Sequence, residues 1–267
     1  MDLGLGGKVA IITGGSEGIG KAAALRIAAE GGRVAIVARR PDVLAAAAEE
    51  IGRAAGNRDS VLALQADVTE AAAPGRVVEA VRGRFGGLDI LVNNAGTSMA
   101  KPFDAVSDAD WRSDFDLKLW SAIGLVRAAI PEMRRRGGGR IVNVTNLAGR
   151  TPGASSMPTS VSRAAGIAIT KALSKDLAKD NILVNTVCIG LIKSGQHERR
   201  FAPRLKSEQG LTQDLLYAEL AKQRGVPLGR VGEAAEAGDV IAFLASARAS
   251  YLTGIAVNID GGTSAVV

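Results

Sequence analysis

VAIITGGSEGIG, residues 9–20, is the stretch from which the rest of this chain can be read. Five apolar or β-branched residues form a strand pattern, a glycine-rich turn follows, and a helical pattern starts at Ile19. Gly14, Gly18 and Gly20 let the chain reverse tightly. They also let a diphosphate approach the backbone N–H groups at the helix N-terminus. Ser16, Glu17 and Ile19 complete the loop. A glycine-rich turn alone is a weak signal. Here it ends the first strand and opens the first helix, as dinucleotide binding requires.

Outward from that unit, apolar runs alternate with alanine-rich helical stretches. Residues 9–13, 34–37, 61–64, 89–93, 140–144, 182–187 and 255–259 read as seven strands. Their unbroken apolar character means that both faces are covered. Helices are expected over 19–31, 41–55, 71–84, 108–136 and 157–180. The alternation predicts an α/β fold with a Rossmann-type, doubly wound, seven-stranded parallel sheet in a single domain, residues 1–267. Residues 193–227 break the rhythm with a long, polar, partly helical connection. Connections of this length are usually lids or binding loops, so a helical substrate lid is expected there.

The second strand ends Val37-Ala38-Arg39-Arg40. An acid at this place would bond a ribose 2′-hydroxyl and repel a 2′-phosphate. None is present, and Arg39 and Arg40 offer guanidiniums to a phosphate. The pattern favours NADP(H) over NAD(H). Glu17 is the counter-signal, because some NADP sites carry a basic residue at that point of the loop.

Composition narrows the field. The net charge is +6, but the basic clusters at 39–40, 134–136 and 199–200 are not interleaved with aromatics and sit in no nucleic-acid motif. Arg134 to Arg136 suit a helix C-terminus. No apolar run is long enough to span a bilayer, and the N-terminus lacks the basic region of a signal peptide. The one cysteine, Cys188, excludes an internal disulfide and fits a reducing, cytoplasmic setting. It reads as a buried thiol at a strand end. No metal site is expected.

Six segments carry a resemblance that spans almost the whole chain: TGGSEGIG at 13–20, Asp67-Val68, Asn93-Asn94-Ala95-Gly96, IVNVT at 141–145, LVNTV at 183–187, and Asp260-Gly261-Gly262. On these the chain resembles the short-chain dehydrogenase/reductase family. The resemblance implies a homo-oligomer, tetramer or dimer, built through the helices at 108–136 and 157–180. It implies that Asp67 and Val68 contact adenine, that Asn93 to Gly96 flank ribose and nicotinamide, and that Ile192 meets the carboxamide. After the sixth strand the family often has Pro-Gly, with a Thr four residues beyond the Gly. Here Ile189, Gly190 and Ser194 stand at those positions.

The family's catalytic Asn, Ser, Tyr and Lys fall, by the same register, on Lys118, Asn146, Thr159 and Arg163. All four depart from the pattern. An aliphatic hydroxyl is a poor acid near neutral pH, so Thr159 cannot replace the tyrosine by itself. Arg163 stays cationic and can hold ribose hydroxyls or an anion. A neighbouring cation and partial burial would depress the pKa of Lys118 and suit it as general acid, with Asn146 orienting a carbonyl. The alternative is that Lys118 fills its place structurally, paired with Asp114 or Asp116. Lys118, Arg163 and Lys193 together would favour an anionic small-molecule substrate, and His197 could supply a proton once the lid closes. Three functions therefore stand open. They are an NADP(H)-dependent oxidoreductase acting on a carbonyl or alcohol, a catalytically silent NADP(H)-binding homologue (sensor or partner subunit), and a lyase-type activity on the same scaffold.

Overall fold

The computed structural model describes residues 1–267. Seven parallel strands form one sheet: β1 (Val9–Thr13), β2 (Arg33–Ala38), β3 (Val61–Gln65), β4 (Ile90–Asn93), β6 (Gly139–Asn146), β8 (Ile182–Ile189) and β9 (Ala256–Ile259). Their order is β3-β2-β1-β4-β6-β8-β9. The chain starts at β1, winds out to β3, then crosses back to β4 on the other side. The crevice beyond the C-terminal ends of β1 and β4 is therefore the topological switch point, where open α/β sheets bind ligands.

The two-residue period of β1 sends its side chains to two cores. Ala10 and Ile12 join α1 (Gly18–Ala29), α2 (Pro41–Ala54) and α9 (Ala234–Leu244) on one face. Val9 and Ile11 join α3 (Ala73–Phe85) and α5 (Ser121–Arg135) on the other. All seven expected strands are present. Cys188 is fully buried.

The helices differ from expectation in three places that bear on function. The stretch at 108–136 is not one α-helix. It is α4 (Asp108–Phe115), a wide π turn at Asp116–Trp120, and α5. Ser121 Oγ donates to the Leu117 carbonyl at 2.6 Å inside this turn. Such single π turns collect at functional sites, and this one carries Lys118. Next, α6 (Thr159–Asp176) starts two residues late because β7 (Met157–Pro158) pairs antiparallel with β5 (Ala100–Lys101). Finally, α9 was not anticipated. A capping box between Glu233 and Glu236 starts it.

Residues 193–227 contain α7 (Gly195–Ser207) and α8 (Gln213–Gln223). Tyr217 and Ala221 of α8 pack with Val226 and Val231 in a small core separate from the sheet. No helix is long and apolar enough to cross a membrane.

Candidate active site

A cleft of about 860 Å³ opens over the switch point. Its floor is the glycine loop, with Gly14, Ser16, Glu17, Gly18 and Ile19. One wall is the end of β2 with Arg39 and Arg40, followed by Asp67 and Val68 beyond β3. The opposite wall is Asn94, Ala95 and Gly96, with Ser194 at the start of α7. Gly18 has φ +54° and open space where a Cβ would stand, so a side chain here would fill the cradle. The loop's free N–H groups, the open glycine and two arginines just past the end of β2 fit a phosphorylated dinucleotide.

Several loop residues build the site rather than line it. A Cβ on Gly20 would meet the Gly14 carbonyl at 2.3 Å, so glycine is what lets α1 pack against the turn. Thr13 Oγ1 accepts from the N–H groups of Asn94 and Ala95 at 2.9 and 3.0 Å. Asn94 Nδ2 donates to the carbonyls of Thr13 and Gly14. Asn93 is buried and donates to Asn143 Oδ1 at 2.9 Å. It lies behind the cleft, as does buried Ile192. Asp67 accepts from the Thr69 N–H and hydroxyl, and chiefly that backbone bond holds its carboxyl below the usual range. Arg39 lies 3.8 Å from Asp67, and Arg40 pairs with Glu17.

Three of the four departing positions, Lys118, Thr159 and Arg163, come together in one buried cluster, and Asn146 is the last residue of β6. Lys118, on the π turn, is buried with its side chain 1% exposed. Its ammonium forms an ion pair with Asp114, one helical turn earlier, and donates to Thr159 Oγ1 at 2.8 Å. Thr159 in turn donates to the Met99 carbonyl at 2.7 Å and accepts from the Met99 N–H at 3.0 Å. Ser162 donates to the second oxygen of Asp114 at 2.5 Å. Arg163 donates to the Val144 carbonyl at 2.6 Å. Its guanidinium fills the space where a Cβ on Gly96 would stand, 2.6 Å from Nη2. Asn146 Oδ1 is buried with no hydrogen-bond partner, as is Arg163 Nε. A pocket of about 20 Å³ between Lys118 and Arg163 has room for one water.

Two cations and one carboxylate share this buried cluster. Burial, followed by the Arg163 charge, pushes Lys118 down to about 8 even though Asp114 opposes the shift. Burial also lowers Arg163, to about 10.

Of the two partners the sequence offers Lys118, Asp114 and Asp116, the ion pair is with Asp114, and its i,i+4 spacing is the signal for it. Ser162 and the Met99 backbone were not anticipated, and no motif marks them. His197 does not face the cleft. Its ring packs against Phe201 and Tyr217, its Nδ1 lies 3.2 Å from Ser194 Oγ, and burial lowers its pKa. Lys193 is held by Glu233 at 2.7 Å, so it adds no free charge to the pocket.

Residues 8–204 match the short chain dehydrogenase family. The 3-oxoacyl-(acyl-carrier-protein) reductase of Thermotoga maritima is 33% identical over 258 residues, which cover 97% of this chain and 98% of that one. L-Sorbose reductase from Gluconobacter frateurii, solved with NADPH and L-sorbose, superposes with a TM-score of 0.93 at 36% identity, covering both chains completely. A short chain oxidoreductase of Pseudomonas aeruginosa, described as containing an atypical catalytic center, also gives 0.93 at 35% identity, covering 99% of this chain and 100% of that one. With fold, glycine loop and full-length relatives in agreement, this chain belongs to the short-chain dehydrogenase/reductase family of oxidoreductases.

Proposed function

We propose that the protein is an NADP(H)-dependent reductase of a carbonyl compound in which a Lys118–Thr159 relay replaces the tyrosine acid. The single observation that carries this reading is the 2.8 Å contact from the Lys118 ammonium to the Thr159 hydroxyl, made by a lysine brought down to about 8. The neighbour solved with NADPH and L-sorbose supports the cofactor and a ketone substrate. Arg39 and Arg40 at the end of β2 support the phosphorylated form.

When bound, the reduced nicotinamide supplies a hydride to the carbonyl carbon. The chain supplies the proton. Thr159 gives its hydroxyl hydrogen to the developing alkoxide as Lys118 replaces it, so one proton leaves Nζ for each hydride consumed. Loss of that proton leaves Asp114 and Arg163 as a neutral pair, so the buried cluster sheds its excess positive charge. The amide N–H of Asn146, at the end of β6, orients the substrate carbonyl. Arg163 braces Gly96 and biases Lys118. Segment 193–227 closes the cleft as a lid. Exposed Trp120 at the end of the π turn and Val161 on α6, 56% and 42% accessible, support assembly of a homo-oligomer through the segment 108–136 and α6.

A second reading, a silent NADP(H)-binding homologue, is favoured by one observation: the Thr159 hydroxyl is already committed to Met99. Titration with NADPH and NADH by fluorescence, followed by NADPH consumption over ketoses, keto acids and 3-oxoacyl thioesters, separates the two. Turnover that disappears in Lys118→Met supports the relay. Tight NADPH binding without turnover supports the silent homologue. Binding of neither nucleotide overturns both.

A further inference from the structure

Glu17 sits between two arginines from opposite walls of the cleft. Arg40, at the end of β2, pairs with its Oε2. Arg199, on α7 of the lid, places Nη1 4.0 Å from the same oxygen. Two guanidiniums thus converge on one carboxylate oxygen at the ribose end of the cleft. Gly195 makes room for this approach, because a Cβ there would stand 3.2 Å from Arg199 Nη1 and 3.8 Å from Glu17 Oε1. A carboxylate held by two arginines is a fair likeness of a phosphate held by two arginines. The charged groups lining the cleft are Arg39, Arg40, Arg199 and Arg200 against Glu17 and Asp67, an excess of positive charge that awaits an anion.

We propose that Arg199 is a cofactor-specificity residue. With Arg40 it clamps the 2′-phosphate of NADP(H), in the place that Glu17 occupies as an internal stand-in. The inference rests on the NADP(H) reading and adds a residue from the lid, remote in sequence from β2. It also accounts for an acid in the glycine loop of a site for a phosphorylated cofactor. Glu17 keeps the two guanidiniums together until the phosphate takes its place, and the lid then closes on the phosphate.

The test needs no turnover. Calorimetric titration with 2′,5′-ADP and with 5′-AMP isolates the 2′-phosphate. For the wild type, 2′,5′-ADP binds more tightly. Arg199→Ala lowers the affinity for 2′,5′-ADP about tenfold, the scale of one charged hydrogen bond, and leaves 5′-AMP unchanged. Glu17→Gln, which removes the competing anion, tightens 2′,5′-ADP alone. Arg200→Ala serves as a control for the general field and leaves the ratio of the two affinities within about twofold. An equal loss for both nucleotides in Arg199→Ala, no loss for either, or the same loss of ratio in Arg200→Ala overturns the role of Arg199. A wild type with no preference for 2′,5′-ADP removes the NADP(H) reading and this inference with it. A preference that is undiminished in Arg199→Ala removes the inference alone.

Discussion

Lys118 and Thr159 lie 41 residues apart in the chain, yet the ammonium of one donates to the hydroxyl of the other at 2.8 Å inside the protein. The π turn at Asp116–Trp120 brings Lys118 to this contact, and β7 sets Thr159 at the first residue of α6. The pair therefore depends on two local departures from regular helix. The pair and the neighbouring Arg163 lead to three predictions.

The first concerns pH. Lys118 titrates at about 8 in the folded chain, against an ordinary lysine value of 10.5. Below about pH 8 both folded and unfolded chains hold the proton, and the cost of burying the cation is present in full. Between 8 and 10.5 the unfolded chain binds more protons, so stability rises with pH across that window. Urea midpoints at about pH 7 and about pH 9.5 should show wild type gaining relative to Lys118→Met. Carbonyl reduction should move the opposite way, falling above about pH 8 as the acid loses its proton. A wild-type rate that stays flat through this range would exclude Lys118 as the proton source.

The second concerns Gly96. Its missing side chain is replaced by the Arg163 guanidinium, and an alanine would place Cβ 2.6 Å from Nη2. Arg163 is committed to the Val144 carbonyl and has little freedom to retreat in a close-packed interior. Gly96→Ala should therefore destabilise the chain by about 1–3 kcal/mol, as overpacking does. Trimming the obstruction in Gly96→Ala/Arg163→Ala should make the combined loss smaller than the sum of the single losses. Thermal melts of the four proteins test this, and simple additivity would mean that the two positions do not press on each other.

Much of this architecture is legible in the sequence. VAIIT followed by a glycine turn and a helix identifies β1 and α1, and unbroken apolar strands require two covered faces. Gly14, Ser16, Glu17, Gly18 and Ile19 do line one cleft with Arg39 and Arg40. The π turn was not legible, because one residue too many in a single turn leaves the apolar periodicity of 108–136 almost unchanged. The helix α9 has one local signal in the sequence, Glu233 and Glu236 at capping-box spacing. The register placed Lys118, Thr159 and Arg163 in one neighbourhood. What it could not give is that Lys118 is enclosed or that Thr159 is spent on Met99. Those facts depend on the loop after β4 folding over α6, a contact between distant segments with no local pattern.

The third prediction separates relay from scaffold. If Thr159 passes the proton of Lys118, the two residues act as one unit, and removing either removes the same step. Thr159→Ser keeps the hydroxyl and should retain reduction within several-fold. Thr159→Val keeps the shape but loses the hydroxyl, and should fall by about 10²–10⁴, the range that one general acid contributes. Lys118→Met should fall by a similar factor, and the double variant should be no worse than either single, because groups that act together are strongly non-additive. A structural role predicts a different pattern. Valine leaves the Met99 N–H without its acceptor, and methionine leaves Asp114 without its ammonium. Stability losses would then accumulate in the double variant while NADPH consumption per folded molecule stayed near wild type. Measuring kcat alongside the urea midpoint for the four proteins distinguishes the two. Equal kcat in wild type and Thr159→Val would leave Thr159 as a brace for Met99 and exclude the relay.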